Sequence, residues 1–508
     1  MSSVHPLAQI LAEVVPDGYY VGGIVRNSLL KRQSGDIDIT LPPAQVKPAA
    51  QTLAKRLKAA SFEMDPSLGV WRLVTHQEHL QIDLTAYQGN DLAADLKRRD
   101  FTFNSLAYPV AAKPHIEIVP RKDATAHVLL KRLKRARIID KTGGMSDLKT
   151  KQIRLNGKER FKEDPLRMLR AFRCAAELKF TIVPATLAQI KKDKQLISLP
   201  AGERVKEELD RLFSVPNKTY DYLVQMDQCG LLTALFPFLE EQRNCAEVYY
   251  GKGGVLRHTL LVCKRMDYVL EHLGKAFPKY AKKLTPFCVN KPLYKMAALL
   301  HDIAKPATAK MQRGRLRFFY HEQVGARMAR KVLESLHYSR SDIRLMCGMI
   351  GEHLRPSNLA SNDVLTERGL YHFFRDLGEA AIPMLLLCWA DYTSYVSDCQ
   401  LQRILPRSGE RMMTIAQAEH FKNTGKTLRH LQLLNCMFRQ FFDRPAAVQP
   451  IRVINGQDVM RELGVKPGPQ VGAVLEAVCV AQVEGKIKTR KEALAYLRHL
   501  DITKLALH

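Results

Sequence analysis

The sequence predicts an α/β head followed by a long and almost wholly helical body. Apolar alternation with a period of two is confined to roughly the first 120 residues, where YYVGGIV, DIDIT, WRLVTH, LQIDLTAY and HIEIVP read as short strands, with a helix from Val25 to Lys31 after the first. Beyond residue 164 the apolar spacing changes to i, i+3/i+4, as in RMLRAFRCAAELKF, ERVKEELDRLF, LYKMAALLHDIA, GARMARKVLESLHY and AIPMLLLCWADYTSYV. A length of 508 residues leaves room for several domains, each with its own core.

Composition narrows the function. Hydrophobic content of 46% and charged content of 25% suit a globular protein, and no apolar run approaches the ~20 residues of a membrane span. The N-terminal MSSVHPLAQILAEVV has no basic n-region and no cleavage site, so no secretory signal is expected. The ten cysteines include no C-x-x-C pair, which fits reduced thiols in a cytoplasmic protein better than a disulfide or zinc framework. The 78 Lys/Arg against 51 Asp/Glu leave a net charge of +27, which favours a polyanionic partner, nucleic acid first. Residues 121–164 are the densest basic stretch, with 14 Lys/Arg against 6 Asp/Glu. RPAAVQPIRVINGQ, 444–457, reads as a joint before a last helical segment.

In the head, Gly22-Gly23 ends a strand and opens a helix, where bare backbone N–H groups can approach a phosphate. Arg26, one turn on, could reach the same anion. Asp36 and Asp38 are two apart on a strand, so their carboxylates share one face. By itself that pair reads as a solvated strand edge. Beside the glycine turn it reads as a Mg²⁺ site, with two ions serving an attacking hydroxyl and a leaving pyrophosphate, and with Asp83 of LQIDLTAY as a third acid. In DLKRRDFTFNSLAY, Arg98 and Arg99 can hold a triphosphate and Asp100 can accept from a ribose hydroxyl, with Asn104 close by.

RFKEDPLRMLRAFR places Asp164 and Arg167 three apart, expected on one helical face. An isolated pair of this kind is usually a surface ion pair. The same two groups can also read a base edge. Cytosine and adenine both present an amino group beside an acceptor, which a carboxylate and a guanidinium match, whereas uracil and guanine present a carbonyl where Asp needs a donor. In the body, His258 of LRHTLLV, adjacent His301-Asp302 of ALLHDIAKP and Asp391 of CWADYT lie in apolar helical contexts, where such groups are costly unless used. They suit a divalent metal. Lys305, His321 and His353 are further candidates there, the two histidines for a second metal or for phosphate.

GGIVR with DID, RRDFTFNSLAY, GGMSDLKTKQIR, EDPLRMLRAFR and ERVKEEL occur in that order over roughly residues 19–210. Together they resemble the class II tRNA nucleotidyltransferase (CCA-adding enzyme) and bacterial poly(A) polymerase family, and H…HD…D resembles the HD phosphohydrolase domain. The resemblance implies an α/β nucleotidyltransferase palm, then an all-α neck, an HD-type helical body and a helical tail. It implies catalytic metals on Asp36 and Asp38, and nucleotide contacts from Gly23, Arg26, Arg99, Arg167 and Arg170. It makes the Asp164–Arg167 pair an amino-acid template for CTP and ATP. Ser105 departs from the Ala that tRNA-repairing members usually carry after the Asn. The expected division is palm 1–135, neck 136–225, HD-type domain 226–408 and RNA-binding tail 409–508. The expected function is addition or repair of the tRNA 3′-CCA end with CTP and ATP. An additional HD activity on 2′,3′-cyclic phosphates or phosphomonoesters is implied, supported by Ni²⁺, Mn²⁺ or Co²⁺. Poly(A) polymerase, a CC-adding or A-adding enzyme, and an HD phosphohydrolase with an RNA-binding head stay open, as does the oligomeric state. No membrane partner is expected.

Overall fold

A computed structural model describes residues 6–66, 69–77, 79–120, 126–420 and 422–502. The start of the N-terminal reading (1–5), the start of the basic stretch (121–125) and the end of the tail (503–508) lie outside the described residues. The chain forms two compact units, Met1–Pro200 with Gln228–Leu235, and Ala201–Asp227 with Phe236–His508.

The first unit is built on a seven-stranded sheet of β1 (Tyr19–Val21), β2 (Asp36–Leu41), β3 (Ala59–Asp65), β4 (Val70–Thr75), β5 (Gln81–Ala86), β6 (Leu106–Pro109) and β9 (Ile139–Asp140), in the order β3-β4-β5-β2-β1-β6-β9. The β2–β5 pair is parallel, with Asp38 opposite Asp83, and its neighbours in the sheet are antiparallel. A parallel neighbour needs a long crossover, which the helix Pro43–Leu57 and the β3–β4 hairpin supply. In β2 Ile37 and Ile39 are buried while Asp36 and Asp38 are only half-buried, so the alternation seen in DIDIT is real. The first helix spans Gly23–Leu29 rather than 25–31, because Gly22, at φ +68°, turns the chain immediately before it. β3 escapes sequence reading because AASFEMD is an exposed edge strand with no apolar face to bury. A separate hairpin pairs β7 (His115–Pro120) with β8 (Ala126–Lys131), and two short parallel strands, β10 (Gln152–Ile153) and β11 (Thr181–Ile182), flank the helices that follow.

Asp164 and Arg167 do not share a helix. Pro165 disfavours helical backbone at the residue before it, and Asp164 takes φ −146°, ψ 98°. One helix therefore ends at Glu163 and the next begins at Arg167.

The second unit is helical, as expected, apart from one hairpin of β12 (Ala309–Gln312) and β13 (Arg315–Phe318). Its central helix Ala381–Thr393 is buried along its whole length, which explains why AIPMLLLCWADYT has no polar face. Helices Gly456–Leu463, Pro469–Val483 and Arg490–Arg498 close over a small core of their own, including Val459, Val474, Val478, Ala493 and Leu497. No described helix is long and apolar enough to cross a membrane.

A fully buried ion pair joins several of these helices. Lys295 Nζ lies 2.5 Å from Asp267 Oδ1, and Lys295 also donates to the Phe213 carbonyl. The other Asp267 oxygen accepts from the Thr219 backbone N–H at 2.8 Å. Removing one partner strands the other charge in the core. Lys295→Ala is expected to cost about 3–5 kcal/mol in denaturant unfolding of the full chain. Lys162→Ala, which breaks an exposed pair with Glu159, is expected to leave the unfolding midpoint nearly unchanged.

Candidate active site and metal centre

In the first unit the site begins at the turn between β1 and the helix Gly23–Leu29. A Cβ on Gly22 would sit 3.3 Å from Arg99 Nη1 and 3.5 Å from Asp38 Oδ2, so a bare backbone at positive φ brings the turn against both groups. Asp36, Asp38 and Asp83 offer carboxylate oxygens that lie within 4.8 Å of one another. Burial and the neighbouring Asp36 push the Asp38 carboxyl up to about 7. Asp83 is also held by Arg72, whose Nε and Nη2 donate to it at 2.8 and 2.7 Å. Three converging acids, one of them held by Arg72, form a donor set that fits a divalent cation bound through oxygen.

A second layer of polar groups runs from this turn. Arg26 Nη1 donates to Asn104 Oδ1 at 2.6 Å, and Asn104 Nδ2 donates to Asp100 Oδ1 at 2.9 Å. Arg170 Nη1 donates to the other Asp100 oxygen at 3.3 Å. Burial works to raise the Asp100 carboxyl, but Arg170 and these hydrogen bonds outweigh it and hold it below its usual range. Arg99 is paired with buried Asp95 at 3.0 Å. Ser105 is a packing residue here. Its hydroxyl donates to the Phe101 carbonyl and accepts from Asn156 Nδ2, both at 2.9 Å. At the break between helices the Leu166 N–H donates to Asp164 Oδ1, while Arg167 Nη1 donates to the Arg160 carbonyl and to Glu163. Arg72, Asp95 and Asn156 were not singled out from the sequence. Arg72 and Asn156 find their partners on other elements, which only the strand register and the fold reveal, whereas Asp95 pairs with Arg99 four residues on, a spacing present in the sequence itself.

The second unit brings His258, His301, Asp302, His321, His353 and Asp391 together. They form two groups, His258–His301–Asp391 and Asp302–His321–His353, each with ligand atoms within 4.8 Å of one another. Nδ1 of His301, His321 and His353 lies 2.8, 2.8 and 2.7 Å from the carbonyls of Ala298, Phe318 and Ile350. A carbonyl only accepts, so these partners assign the hydrogen to Nδ1 and leave Nε2 of the neutral ring as an acceptor. His258 is oriented in the same way. Its Nδ1 is 3.1 Å from the Ser394 hydroxyl, which itself donates to the Asp391 carbonyl.

Those Nε2 atoms face carboxylates. His258 Nε2 is 3.3 Å from Asp302 and 3.2 Å from Asp391, and His301 Nε2 is 3.2 Å from Asp302. Nε2 of His258, His301 and His321, both carboxyl oxygens of Asp302, and Asp391 Oδ1 are buried without a hydrogen-bond partner. Lys305 Nζ approaches Asp302 Oδ2 to 2.6 Å without hydrogen-bond geometry, and donates to the Tyr250 hydroxyl. Burial works to lower His301, but Asp302 outweighs it and holds the imidazole above its ordinary range. The cluster thus demands positive charge, as protons or as metal. His353, by contrast, is pushed down to about 4 by burial, which keeps it a neutral donor. Buried acceptors aimed at one another, with imidazole nitrogens among them, fit divalent metal well. Ser394 and Tyr250 were not anticipated from the sequence. A serine three residues after Asp391 carries no signal of its own until the helix end places it beside His258.

Four segments of the chain match models of known protein families. Residues 18–119 match the Poly A polymerase head domain and residues 255–395 the HD domain. Residues 179–243 match the "Probable RNA and SrmB- binding site of polymerase A", and 449–497 match tRNA nucleotidyltransferase domain 2. The chain is 28% identical to a CC-adding tRNA nucleotidyltransferase of Geobacter sulfurreducens, covering 98% of this chain and 96% of that one. It is also 28% identical to an A-adding tRNA nucleotidyltransferase of Deinococcus radiodurans, covering 95% of each. The structure of the Thermotoga maritima CCA-adding enzyme complexed with tRNA_CCA shares the fold, with TM-score 0.57 over 98% of this chain and 96% of that one at 19% identity. The family uses divalent metal, and the chain carries candidate groups to hold it. With head, RNA-binding segment, HD domain and tail in this order, the chain belongs to the tRNA nucleotidyltransferase and poly(A) polymerase family, with an HD domain.

Proposed function

We propose that this chain is a template-independent RNA nucleotidyltransferase that adds or repairs the 3′-terminal CCA of tRNA with CTP and ATP. The observation that supports this most is the convergence of Asp36, Asp38 and Asp83 beside the positive-φ turn at Gly22. In this reading Asp36 and Asp38 hold Mg²⁺, with Asp83 aligning them through the strand register. Gly22 and Gly23 leave room for the triphosphate, and Arg26, Arg99 and Arg170 supply its cationic contacts. Asp100 accepts from the ribose, steadied by Asn104. Asp164 and Arg167 face the base edge, one from the extended link and one from the helix that follows. Mg²⁺, when bound, supplies acidity to the primer hydroxyl and charge neutralisation for the departing pyrophosphate. Residues 1–135 form the palm in this reading, 136–225 the neck, 226–408 the HD-type domain and 409–508 the tail that meets RNA. A cytoplasmic setting fits the ten free cysteines.

A second reading confines the enzyme to part of the sequence CCA. It is favoured by relatives matched over nearly their whole length, among them CC-adding and A-adding enzymes. Incubation with tRNA lacking CCA, ending in CC, and complete, with CTP and ATP given separately and together, distinguishes the readings. Extension of a complete tRNA by many A residues would instead mark a poly(A) polymerase.

The HD centre supports an additional phosphohydrolase activity on 2′,3′-cyclic phosphate or phosphomonoester ends. Imidazole ligands favour Ni²⁺, Mn²⁺ or Co²⁺ over Mg²⁺ there.

Asp36→Ala and Asp38→Ala are each expected to lower addition of both C and A by at least about 100-fold while leaving tRNA affinity close to normal, because the basic surface remains. Primer extension and filter binding on the same preparations check this, and near-normal extension by both variants would remove the metal assignment.

Asp164→Ala and Arg167→Ala are expected to narrow the preference for CTP and ATP over UTP and GTP by about ten-fold, the worth of an unpaired buried polar group of ~1–3 kcal/mol. Single-nucleotide kinetics with all four triphosphates check it. A slower enzyme with unchanged preference would make the pair structural.

Asp302→Ala is expected to lose metal from the HD centre, read by elemental analysis of the purified chain, and to lose cyclic-phosphate hydrolysis while nucleotide addition stays near normal. Retention of bound metal, or loss of both activities together with a lower melting temperature, would mean the cluster serves the core instead.

A further inference from the structure

The HD centre opens on a cavity of about 1070 Å³. Its lining comes from the β12–β13 hairpin, from the short helix that carries Val248, Tyr249 and Tyr250, and from Tyr395. The lining includes His321, one of the metal-ligating residues, and Lys305, which approaches Asp302, so the cavity and the centre are continuous.

The lining combines exposed aromatics with unpaired cations. Tyr249, Phe319 and Tyr395 are 50%, 48% and 43% exposed. Arg315 and Arg317 are exposed on β13, and neither has an ion-pair partner among the described residues. The Tyr249 hydroxyl donates to the Leu316 carbonyl at 2.8 Å, which ties the hairpin to the opposite wall. Tyr250 stacks on His258 at 4.7 Å between ring centroids, and Lys305 Nζ lies 5.0 Å from the Tyr250 ring. The aromatic surface therefore leads onto the metal ligands.

We propose that this cavity receives the terminal nucleoside phosphate of a single-stranded RNA. The base stacks on the exposed aromatics, the phosphates meet Arg315 and Arg317, and the terminal phosphate reaches Lys305 and the centre. Stacking accepts any base and arginines track the backbone, which is how single strands are held without sequence preference. The basic lining suits a polyanion, and its aromatics suit one that carries bases. The inference rests on the phosphohydrolase reading of the HD centre and adds a substrate class to it.

The test uses the full chain, the wild type and an Arg315→Glu/Arg317→Glu variant, with three substrates. These are a short single-stranded RNA ending in a 2′,3′-cyclic phosphate, free 2′,3′-cyclic AMP, and bis(p-nitrophenyl) phosphate. The variant is expected to lose at least about ten-fold in kcat/KM on the RNA and to stay within about two-fold on bis(p-nitrophenyl) phosphate. An added loss on cyclic AMP places the arginines on the terminal nucleotide, and a loss on RNA alone places them on the preceding phosphates. Both outcomes support the cavity. Equal kcat/KM for variant and wild type on the RNA overturns it, as does an equal loss on all three substrates. If the wild type hydrolyses none of them, the phosphohydrolase reading fails, and cross-linking still decides the cavity. A 4-thiouridine at the RNA terminus is expected to cross-link within 248–250 or 311–319, and cross-links confined to other segments overturn the proposal.

Discussion

Like groups forced together is the constraint on which both units depend. Carboxylates in the first unit and carboxylates with imidazole acceptors in the second are packed at distances where each disfavours the next. Neither arrangement would persist on exposed, flexible segments, because the groups would swing apart into water. Each is held by backbone. In the first unit the holding device is a parallel ladder that sets Asp38 opposite Asp83. In the second it is a set of helix ends and helix-borne side chains whose imidazoles are pinned by main-chain carbonyls.

The supporting groups divide along the same line. Around the acids of the first unit the compensation is guanidinium, with Arg72 on Asp83, Arg99 on Asp95 and Arg170 on Asp100. Arginine keeps its charge when buried and grips a carboxylate through two nitrogens, so it can align acids without titrating. In the second unit a single lysine, Lys305, approaches Asp302, and Ser394 orients His258. The first site thus meets its acids with fixed positive charge. The second keeps buried acceptors without hydrogen-bond partners, a donor set that fits divalent metal.

Much of the head was legible because short motifs there carry their own geometry. Gly22-Gly23 forces a turn, and DIDIT declares a strand with one polar face. The HD pattern was legible because His and Asp are conspicuous in apolar helices. What stayed hidden depends on register and long-range placement. Arg72 becomes a partner of Asp83 only once β4 pairs with β5. The β12–β13 hairpin is basic and exposed, so it shows no alternation of apolar and polar residues to betray a strand. The Asp164–Arg167 spacing suggested one helix face, although Pro165 between them signalled the break that the structure adopts.

The alternation in β2 also bears on how the sheet reaches its correct pairing. A slip of one residue against β5 would turn Ile37 and Ile39 outward and drive Asp36 and Asp38 into the apolar interior. Burying two unpaired carboxylates is far more costly than exposing two isoleucines. Misaligned sheets are therefore poor competitors while the protein folds, and an assembly error would tend to undo itself before the rest of the unit closes over it. The acids assigned to chemistry in the mature protein also act as proofreaders of its assembly, at a stage when there is no substrate to act on.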